Sequence, residues 1–485
     1  MKPGFEAVIG LEIHVQLRTR TKMFCACANA YGGEPNTRTC PVCLGLPGAL
    51  PTLNGEAVGM GIQLALALGA GVNRESTFYR KQYFYADLPK GYQITQGPVA
   101  LVSGGSLPVP GDGEVRGSTD PVPIRIERAH LEEDAGKSTH GAEPGLSWVD
   151  LNRAGVPLIE IVGAPDLRSP QEAYDWLKAL HQLVTWIGIC DGNMEEGSFR
   201  CDANVSVRPK GQEVFGTRVE VKNLNSFRFV KQALAYEVDR HIQALEAGEV
   251  LQPETRGFDP ATGKTQTQRK KEGAVDYRTF PEPDLPVLRV SDLDLSLAQA
   301  TLPELPWARR ARLLASHGLT SDEVDALLQS QPFADYYEAL ASHSGDPKAA
   351  SHWMLGEVSR LLNASGGTIE SFGVSPAYLG ELVHLVLERV VNLGTAKEIL
   401  LPALLAGEGR PAEIVAKRGL GQVQERGAIA ELVRSVLEAH PGQVAQVRAG
   451  KDTLKGFLVG QVMKAGQGKV DPRVVNEILA EELSK

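Results

Sequence analysis

Ile9-Gly-Leu-Glu-Ile-His-Val-Gln-Leu17 alternates large aliphatic residues with glycine or polar residues over its whole length. Successive side chains of a strand point to opposite faces, so this pattern predicts a β-strand with one apolar face. The opposite face carries Glu12 and His14, which would lie about 7 Å apart along the strand. This polar face is either an ordinary solvated surface or part of a functional site.

Size and composition are those of a soluble globular protein with several domains. The chain has 485 residues, of which 42% are hydrophobic and 22% charged, and its mean hydropathy is -0.15. At about 150 residues per domain we expect roughly three domains. No run reaches the roughly 18 apolar residues of a membrane span. The first residues, Met1–Glu6, lack a signal-peptide pattern, so we expect a cytoplasmic location.

Further strands and helices can be predicted in the first 290 residues. Residues 201–208 and 218–222 alternate like the first strand, and the turn residues 209–212 between them predict a hairpin. Helices are predicted over 169–187, after a Ser-Pro start signal, and over 226–247. This part of the chain therefore predicts an α+β domain.

The rest of the chain changes character twice. Residues 252–286 are polar and rich in Pro and Gly, which predicts a long loop or a domain junction. From about Leu293 onward only helical patterns occur, for example after the start signal Ser375-Pro376. The segment 406–411 lacks an apolar anchor and predicts a linker. We expect domains over residues 1–292, 293–405 and 410–485.

Four of the six cysteines lie close together in the sequence, at Cys25, Cys27, Cys40 and Cys43. Structural zinc usually has four ligands at such paired spacings. The alternatives are reduced buried thiols or a redox pair. The spacing favours a structural zinc knuckle over residues 25–43, because four thiolates leave no open position for a substrate.

Acidic residues recur on or near predicted strands. Besides Glu12, they include Glu132-Glu-Asp134, Glu160, Glu195-Glu196 and Asp202. Mg2+ binds few protein carboxylates and keeps water or substrate phosphates as its other ligands. Several carboxylates that converge on one sheet face would suit such a site. The alternative is again a solvated face.

One stretch only superficially resembles a phosphate-binding Walker loop. In Gly257-Phe-Asp-Pro-Ala-Thr-Gly-Lys-Thr265, five residues separate the glycines where the motif has four, and no apolar strand precedes them. Any ATP site in this chain must therefore be built differently.

Longer strings occur along nearly the whole chain: Val8–Val15, Arg80–Tyr85, His130–Lys137, Val149–Arg153, Pro157–Ile161, Met194–Asn204, Val221–Ser226, Phe280–Asp284 and Gly456–Lys464. Together and in this order they resemble the B subunit of the aspartyl/glutamyl-tRNA amidotransferase, the GatB family. The resemblance implies a cradle-like catalytic domain with a mainly antiparallel sheet, an all-α helical domain, and a small all-α tail similar to the YqeY family.

The resemblance also implies an activity and partners. In this family an amidase-like A subunit hydrolyses glutamine, a small C subunit braces the heterotrimer, and ammonia travels to the B subunit. The B subunit uses ATP to phosphorylate the side chain of tRNA(Gln) misacylated with Glu, of tRNA(Asn) misacylated with Asp, or of both. Ammonia then displaces the phosphate. The chain would thus belong to an ATP-dependent carbon–nitrogen ligase with glutamine as amido donor.

The resemblance assigns site residues as well. Those expected to hold Mg2+ are Glu12, His14 and Glu133. Additional groups expected near the cation are Asp202 and Glu132. The chemistry of phosphoryl transfer, rather than the resemblance, suggests that Lys81, Lys137, Arg200 and Lys222 bind phosphates, and the alternative is that each is a surface salt-bridge partner. The zinc knuckle occurs in only part of the family, so it refines the subgroup and does not decide the function.

Two other functions remain open on the residues alone. One is a non-catalytic tRNA-binding scaffold, in which the acidic face is merely solvated. The other is a free-standing zinc hydrolase. Four thiolates leave no open metal position, which argues against the hydrolase.

The last part of the chain carries a local excess of positive charge. The net charge of -9 argues against general nucleic-acid binding, but residues 406–485 have 12 Lys or Arg against 10 Asp or Glu. Lys455 and Lys464 border a predicted helix, and Lys469 lies in a predicted loop. We expect these three lysines to contact tRNA phosphates, and the alternative is a solvated face.

Overall fold

The computed structural model describes residues 4–140, 145–270, 277–422, 426–466 and 470–484. The chain divides into two compact units, residues 1–305 and 306–485. The strands of the first unit are β1 (Phe5–Gln16), β2 (Gly71–Val72), β3 (Glu75–Ser76), β4 (Phe78–Gln82), β5 (Tyr92–Gln96), β6 (Val102–Ser103), β7 (Ser106–Pro110), β8 (Pro121–Glu133), β9 (Lys137–His140), β10 (Ser147–Asp150), β11 (Pro157–Gly163), β12 (Phe199–Pro209), β13 (Val219–Leu224), β14 (Glu254–Asp259), β15 (Lys264–Lys270), β16 (Phe280–Pro281) and β17 (Leu288–Arg289). Its helices are α1 (Gly55–Ala67), α2 (Gly113–Arg116), α3 (Pro170–Trp186), α4 (Phe227–Glu246) and α5 (Asp292–Thr301).

Within the described residues, thirteen of these strands form one large sheet. Its main path has the order β15-β14-β13-β12-β1-β11-β8-β5-β4-β16, while β6 and β7 pair with β8, and β2 pairs with β6. Neighbouring strands are antiparallel except β13 and β14, which are parallel. The prediction of an α+β unit with a mainly antiparallel sheet is confirmed, while the cradle shape stays a prediction.

Strand β1 lies in the middle of the sheet and confirms the first strand predicted. Ile9, Ile13 and Val15 are completely buried, because this face of the sheet belongs to the hydrophobic core. On the other face Glu12 pairs with Asp202 of β12, and His14 pairs with Glu160 of β11. The alternation of β1 therefore separates the core from a polar sheet face, which we call the front face.

Helices α3 and α4 begin where their capping residues predict. Ser169 accepts a hydrogen bond from the backbone of Glu172 at the start of α3, and Ser226 caps α4 in the same way. In α3 the side chains of Trp176, Leu180 and Val184 are completely buried, and full burial of such a side chain contributes roughly 1.5–3 kcal/mol. α4 packs on β12 and connects β13 to the parallel strand β14, which a hairpin could not do.

The prediction of a long loop over 252–286 is wrong for residues 254–270. Strands β14 and β15 form a hairpin that extends the sheet, and the Walker-like stretch 257–265 spans its turn. The buried positions of this hairpin include Thr255, Arg256 and Thr265 rather than aliphatic residues. Because Arg256 is neutralised by Glu237 of α4 at 3.0 Å, these polar residues can be buried without an apolar pattern in the sequence.

The second unit is built of helices, as predicted. They are α6 (Pro306–Ser316), α7 (Ser321–Leu327), α8 (Gln331–Ser344), α9 (Pro347–Trp353), α10 (Ser359–Ser365), α11 (Pro376–Leu387), α12 (Leu393–Thr395), α13 (Leu401–Leu405), α14 (Pro411–Arg418), α15 (Arg426–Ala439), α16 (Pro441–Arg448), α17 (Lys455–Ala465) and α18 (Pro472–Ser484), with π-helical turns at Met354–Val358 and Ala396–Leu400. Short 3-10 turns lie at Ile369–Ser371 and Asp452–Leu454.

The two compact units meet after Leu305, and the division of the chain into three domains stays a prediction. α5 packs on α1 and therefore lies in the first unit. Within the second unit, helices α15 to α18 share a hydrophobic cluster around Val433, Leu458 and Val462. Among the helices that the structure describes, none is long and apolar enough to cross a membrane.

Candidate active site and metal centres

A polar cleft of about 750 Å³ lies on the front face of the sheet. We call it the acidic cleft, and its lining includes Glu12, His14, Lys81, Tyr83, Glu132, Asp134, Arg153, Glu160, Arg200, Asp202, Arg218, Glu220 and Lys222. These residues come from β1, β4, β8, β11, β12 and β13 and the loops beside them. The regular pairing of these strands therefore brings together acids that are far apart in the sequence.

Three side chains at the centre of the acidic cleft are arranged as metal ligands. His14, Glu132 and Glu160 each offer one ligand atom, and these atoms lie within 4.8 Å of one another. His14 Nε2 is 3.7 Å from Glu132 Oε1, and His130 Nε2 is 2.7 Å from Glu160 Oε2. Two carboxylates and an imidazole at this spacing can hold a divalent cation.

Glu12 lies next to this group and is held by a neighbouring amide. Asn204 Nδ2 donates a hydrogen bond to Glu12 Oε1 over 2.9 Å. Burial, together with repulsion from Glu160, raises the pKa of Glu12. Although burial opposes it, the hydrogen bond from His130 lowers the pKa of Glu160 to about 2. Glu12 is therefore partly buried and lies close enough to Glu160 for their charges to repel.

Three of the predicted basic residues line the cleft, and each of them contacts a neighbouring side chain. Lys222 Nζ lies 2.8 Å from Asp202 and 3.0 Å from Glu220, and these carboxylates raise the pKa of Lys222 against the effect of burial. Arg200 donates to Asp134 over 2.7 Å. Lys81 lies over the ring of Tyr277, with 5.0 Å between Nζ and the ring centroid. Three cations thus line the same cleft as the acids.

The structure does not bring Glu133 to the front face, where the family resemblance places it. Glu133 follows Glu132 in the same strand, so its side chain points to the opposite face. There its carboxylate forms a buried ion pair with Lys90 and accepts a hydrogen bond from the backbone of Ile94 over 3.0 Å. Glu132, expected only as an additional group near the cation, occupies the position expected for Glu133.

Lys137 is also separate from the other predicted phosphate ligands. It lines a second cavity of about 680 Å³, together with Arg18, Glu195 and Glu196. Arg153 lines both this cavity and the acidic cleft. The acidic pair Glu195 and Glu196 therefore belongs to the neighbouring cavity.

Several residues of the acidic cleft receive no role from the sequence. In the sequence, Glu160 is only one of several acids near predicted strands. It is, however, the single polar residue of Pro157-Leu-Ile-Glu-Ile161. That isolated acid in an aliphatic strand is a signal that could have identified it. Arg218, Glu220 and Tyr83 carry no comparable signal, because they lie in segments rich in polar residues.

The four clustered cysteines form a second candidate metal centre. The sulfur atoms of Cys25, Cys27, Cys40 and Cys43 all lie within 4.8 Å of one another, so they could hold a structural metal ion. A hydrogen bond from Cys25 and the charge of Lys22 lower the pKa of Cys43 to about 4, although burial opposes the shift. Lys22 is completely buried, and its Nζ lies 3.8 Å from Cys43 Sγ.

The basic residues of the tail are surface groups where the structure describes them. Lys455 is half exposed at the start of α17 and forms an ion pair with Asp452 at 2.9 Å. Lys464 is exposed in the last turn of the same helix. Lys469 lies outside the described residues. Contact between these lysines and RNA stays a prediction.

Comparisons with known proteins agree with the architecture. The family profile of the GatB/GatE catalytic domain matches residues 7–295, and that of the GatB domain matches residues 335–483. Relatives named as the B subunit of aspartyl/glutamyl-tRNA(Asn/Gln) amidotransferase are similar over the full length. Proteins from Nitrosococcus oceani and Halorhodospira halophila are 47% and 51% identical, each over 99% of this chain, covering 100% and 99% of their own lengths. The protein from Myxococcus xanthus is 48% identical over 99% of this chain and 98% of its own. The chain therefore belongs to the family of aspartyl/glutamyl-tRNA(Asn/Gln) amidotransferase B subunits.

Proposed function

We propose that this chain uses ATP to activate the side-chain carboxylate of Glu or Asp on a misacylated tRNA, and converts that carboxylate to an amide. The observation that carries the proposal is the convergence of His14, Glu132 and Glu160 in a cleft bordered by cations. The names of the relatives point to the substrates, which are tRNA(Gln) carrying Glu, tRNA(Asn) carrying Asp, or both.

The chemistry explains why such a cleft is needed. A carboxylate resists attack by ammonia, because it is anionic and its oxygen is a poor leaving group. Transfer of a phosphoryl group from ATP converts it to an acyl phosphate, from which ammonia displaces phosphate to form the amide. Phosphoryl transfer depends on positioning and on neutralisation of the phosphate oxygens. Lys81, Arg200 and Lys222 would supply positive charge to these oxygens.

The donor set of the cleft fits Mg2+, with one change in the expected ligands. His14, Glu132 and Glu160 would hold the cation, with Glu12 beside them and Asp202 held back by Lys222. Burial and repulsion from Glu160 raise the pKa of Glu12, and a bound divalent cation would offset that repulsion. A bound Mg2+ would neutralise phosphate oxygens during transfer. Glu133 has no place in this set.

Zinc is the metal that we propose for the four cysteines. Four sulfur donors within 4.8 Å fit a closed tetrahedral site, which leaves no position for a substrate. The role of the zinc would be structural. The proposal excludes a zinc hydrolase, because the chemistry is assigned to the separate acidic cleft.

Partners are part of the proposal. Ammonia would come from an amidase-like A subunit, with a small C subunit completing a heterotrimer, and the basic tail would bind tRNA phosphates through Lys455, Lys464 and Lys469. A scaffold without catalysis remains the second candidate function. It is less favoured, because a merely solvated face does not need three ligand atoms within 4.8 Å of one another.

The test uses the purified complex and each misacylated tRNA in turn. We expect ATP cleavage that depends on at least one of the two tRNAs, and a loss of at least about 100-fold in His14→Ala. His352→Ala, which changes an exposed histidine of the second unit, serves as the control and should behave like the unmodified complex. ATP cleavage that survives His14→Ala contradicts the proposed cleft, and no tRNA-dependent cleavage at all favours the scaffold.

A further inference from the structure

A completely buried lysine lies against the four clustered cysteines. The side-chain Nζ of Lys22 donates to the backbone carbonyl of Arg38 over 2.8 Å and to that of Leu151 over 3.4 Å. It also lies 3.8 Å from Cys43 Sγ, within reach of a hydrogen bond to sulfur. A lysine amino group has three N–H donors. Each donor therefore has a partner, and one of these partners is a sulfur atom of the candidate metal site.

The partners of Lys22 within the described residues include no carboxylate. Lysine is almost never buried completely unless its charge is paired, because removal of a charge from water is costly. The two carbonyl groups supply dipoles but no negative charge. The group that can supply this charge is the set of thiolates at Cys25, Cys27, Cys40 and Cys43.

A metal site of four thiolates has the opposite need. Four thiolates with one Zn2+ keep an excess of negative charge, since the metal ion cancels only half of theirs. Cys43 is 5% exposed, so water stabilises little of this excess at its sulfur. A cation beside Cys43 Sγ would offset part of the excess. Groups that hydrogen-bond to metal ligands also orient them and strengthen metal binding.

The buried lysine also contacts the loop that leads to the acidic cleft. This loop spans residues 151–156, between β10 and β11, and we call it the Arg153 loop. Besides the hydrogen bond to the carbonyl of Leu151, the backbone N–H of Arg38 donates to Asn152 Oδ1 over 2.8 Å. The next side chain, that of Arg153, lines the acidic cleft. The zinc knuckle and the cleft are therefore linked by hydrogen bonds.

We propose that Lys22 is the internal counter-charge of the zinc knuckle and holds the Arg153 loop in place beside the acidic cleft. Lys22 is thus a positioning residue, which acts through Cys43 and through the carbonyl of Leu151. This inference rests on the proposed zinc site. The competing role is that of a buried donor to two backbone carbonyls, which a neutral side chain could fill.

The first measurement is the zinc affinity of the purified complex, determined by competition with a chelator. Lys22→Met replaces the lysine with an unbranched apolar side chain, and Lys22→Gln keeps a hydrogen-bond donor without the charge. Both variants should raise the dissociation constant of zinc by about 10–100-fold, because each removes a charged partner of a metal ligand. Lys210→Met, at an exposed lysine of the same unit, is the control and should not change it.

The second measurement reports the charge itself. Iron loaded in place of zinc into a site of four thiolates can be oxidised from Fe2+ to Fe3+. A nearby positive charge opposes this oxidation, so loss of that charge favours Fe3+. The reduction potential of the iron-loaded complex should therefore fall in Lys22→Met and in Lys22→Gln, and stay constant in Lys210→Met.

Hydrogen exchange tests the link to the Arg153 loop. The backbone N–H of Gly155 donates to the carbonyl of Asp134 over 2.9 Å, and that of Val156 donates to the carbonyl of Arg153 over 3.0 Å. Both amides therefore report on the order of this loop. In Lys22→Met saturated with zinc they should exchange at least about tenfold faster than in the unmodified complex, and in Lys210→Met at the same rate.

The outcomes separate this inference from the proposed zinc site. If the unmodified complex binds zinc and Lys22→Gln keeps both its affinity and the iron potential, a neutral donor suffices and the counter-charge is overturned. This comparison also decides the matter if Lys22→Met does not fold. Unchanged exchange in zinc-saturated Lys22→Met overturns the link to the Arg153 loop. A complex that binds no zinc overturns the zinc site together with this inference.

Discussion

Glu132 and Glu133 are adjacent acids with opposite environments. Glu132 faces the acidic cleft near His14, whereas Glu133 is buried on the other face in an ion pair with Lys90. We predict that Glu132→Gln raises the Mg2+ concentration needed for tRNA-dependent ATP cleavage by at least about tenfold, because it removes one charged ligand. Measurement of the rate against Mg2+ concentration checks this.

Glu133→Gln is the matched variant, with the same change one residue later. We expect its Mg2+ dependence to be that of the unmodified complex. Its thermal stability should fall, because loss of one partner leaves Lys90 buried without its counter-charge, at a cost of about 3–5 kcal/mol. An Mg2+ dependence that shifts in Glu133→Gln and not in Glu132→Gln would reverse our assignment.

The thiol cluster gives a second prediction at the scale of single residues. The chain prepared without chelators should contain one equivalent of zinc, and Cys40→Ser should lose most of it, because a thiolate is replaced by a weaker ligand. Elemental analysis and thermal unfolding measure the two effects. Cys190→Ala, at a buried cysteine outside the cluster, should keep the zinc. A chain free of zinc under these conditions contradicts the site.

Among the elements, the hairpin β14–β15 depends on one buried acid of α4. Glu237 is completely buried, and its carboxylate lies 2.7 Å from Arg240 and 3.0 Å from Arg256. Although burial alone would raise it, the nearby His241 imidazole and hydrogen bonds from Arg240 and Thr265 lower the pKa of Glu237 to about 2. A carboxylate with a lowered pKa stabilises the fold above its unfolded-state pKa, and this contribution is lost as the pH falls.

We therefore predict that Glu237→Gln destabilises the hairpin at pH 7 by about 3 kcal/mol. The difference from the unmodified chain should persist above pH 4.5 and shrink between pH 4.5 and about 2. Amide hydrogen exchange in β14 and β15, corrected for its intrinsic pH dependence, measures this. Glu249→Gln, at an exposed acid beyond the end of α4, is the control. Equal protection in both variants at pH 7 rules out this role for Glu237.

The sequence predicts an element well when its own pattern determines its burial. The alternation in β1 and the start signals Ser169 and Ser226 act locally, so these elements are confirmed. Strand β14 has no such pattern, because Arg256 can be buried there only through tertiary contacts with Glu237 of α4, Glu254 and the threonines of β15. The same limit applies to the site, since a choice between Glu132 and Glu133 requires the register of β8 against β11.

The whole chain has a negative net charge. We therefore expect RNA to contact only a local patch of positive charge. We predict that simultaneous replacement of Lys455, Lys464 and Lys469 by Ala weakens tRNA binding and lowers its salt slope by roughly one unit for each lost contact, because fewer counterions are released. Affinity measured at several salt concentrations gives the slope. Lys178→Ala with Lys210→Ala removes exposed charge from the first unit and should not change it. An unchanged slope in the triple variant assigns the tail lysines to solvent.

Strand β1 has a consequence for how this protein can change during evolution. Its odd positions build the core and its even positions carry Gly10, Glu12 and His14 to the front face. Loss or gain of a single residue within β1 would exchange the two faces, burying acids and exposing isoleucines in one step. Length variation is therefore expected in turns such as residues 210–218, and not in this strand. Because Glu12 and His14 alternate with core residues of the same strand, their spacing cannot change without disrupting the core.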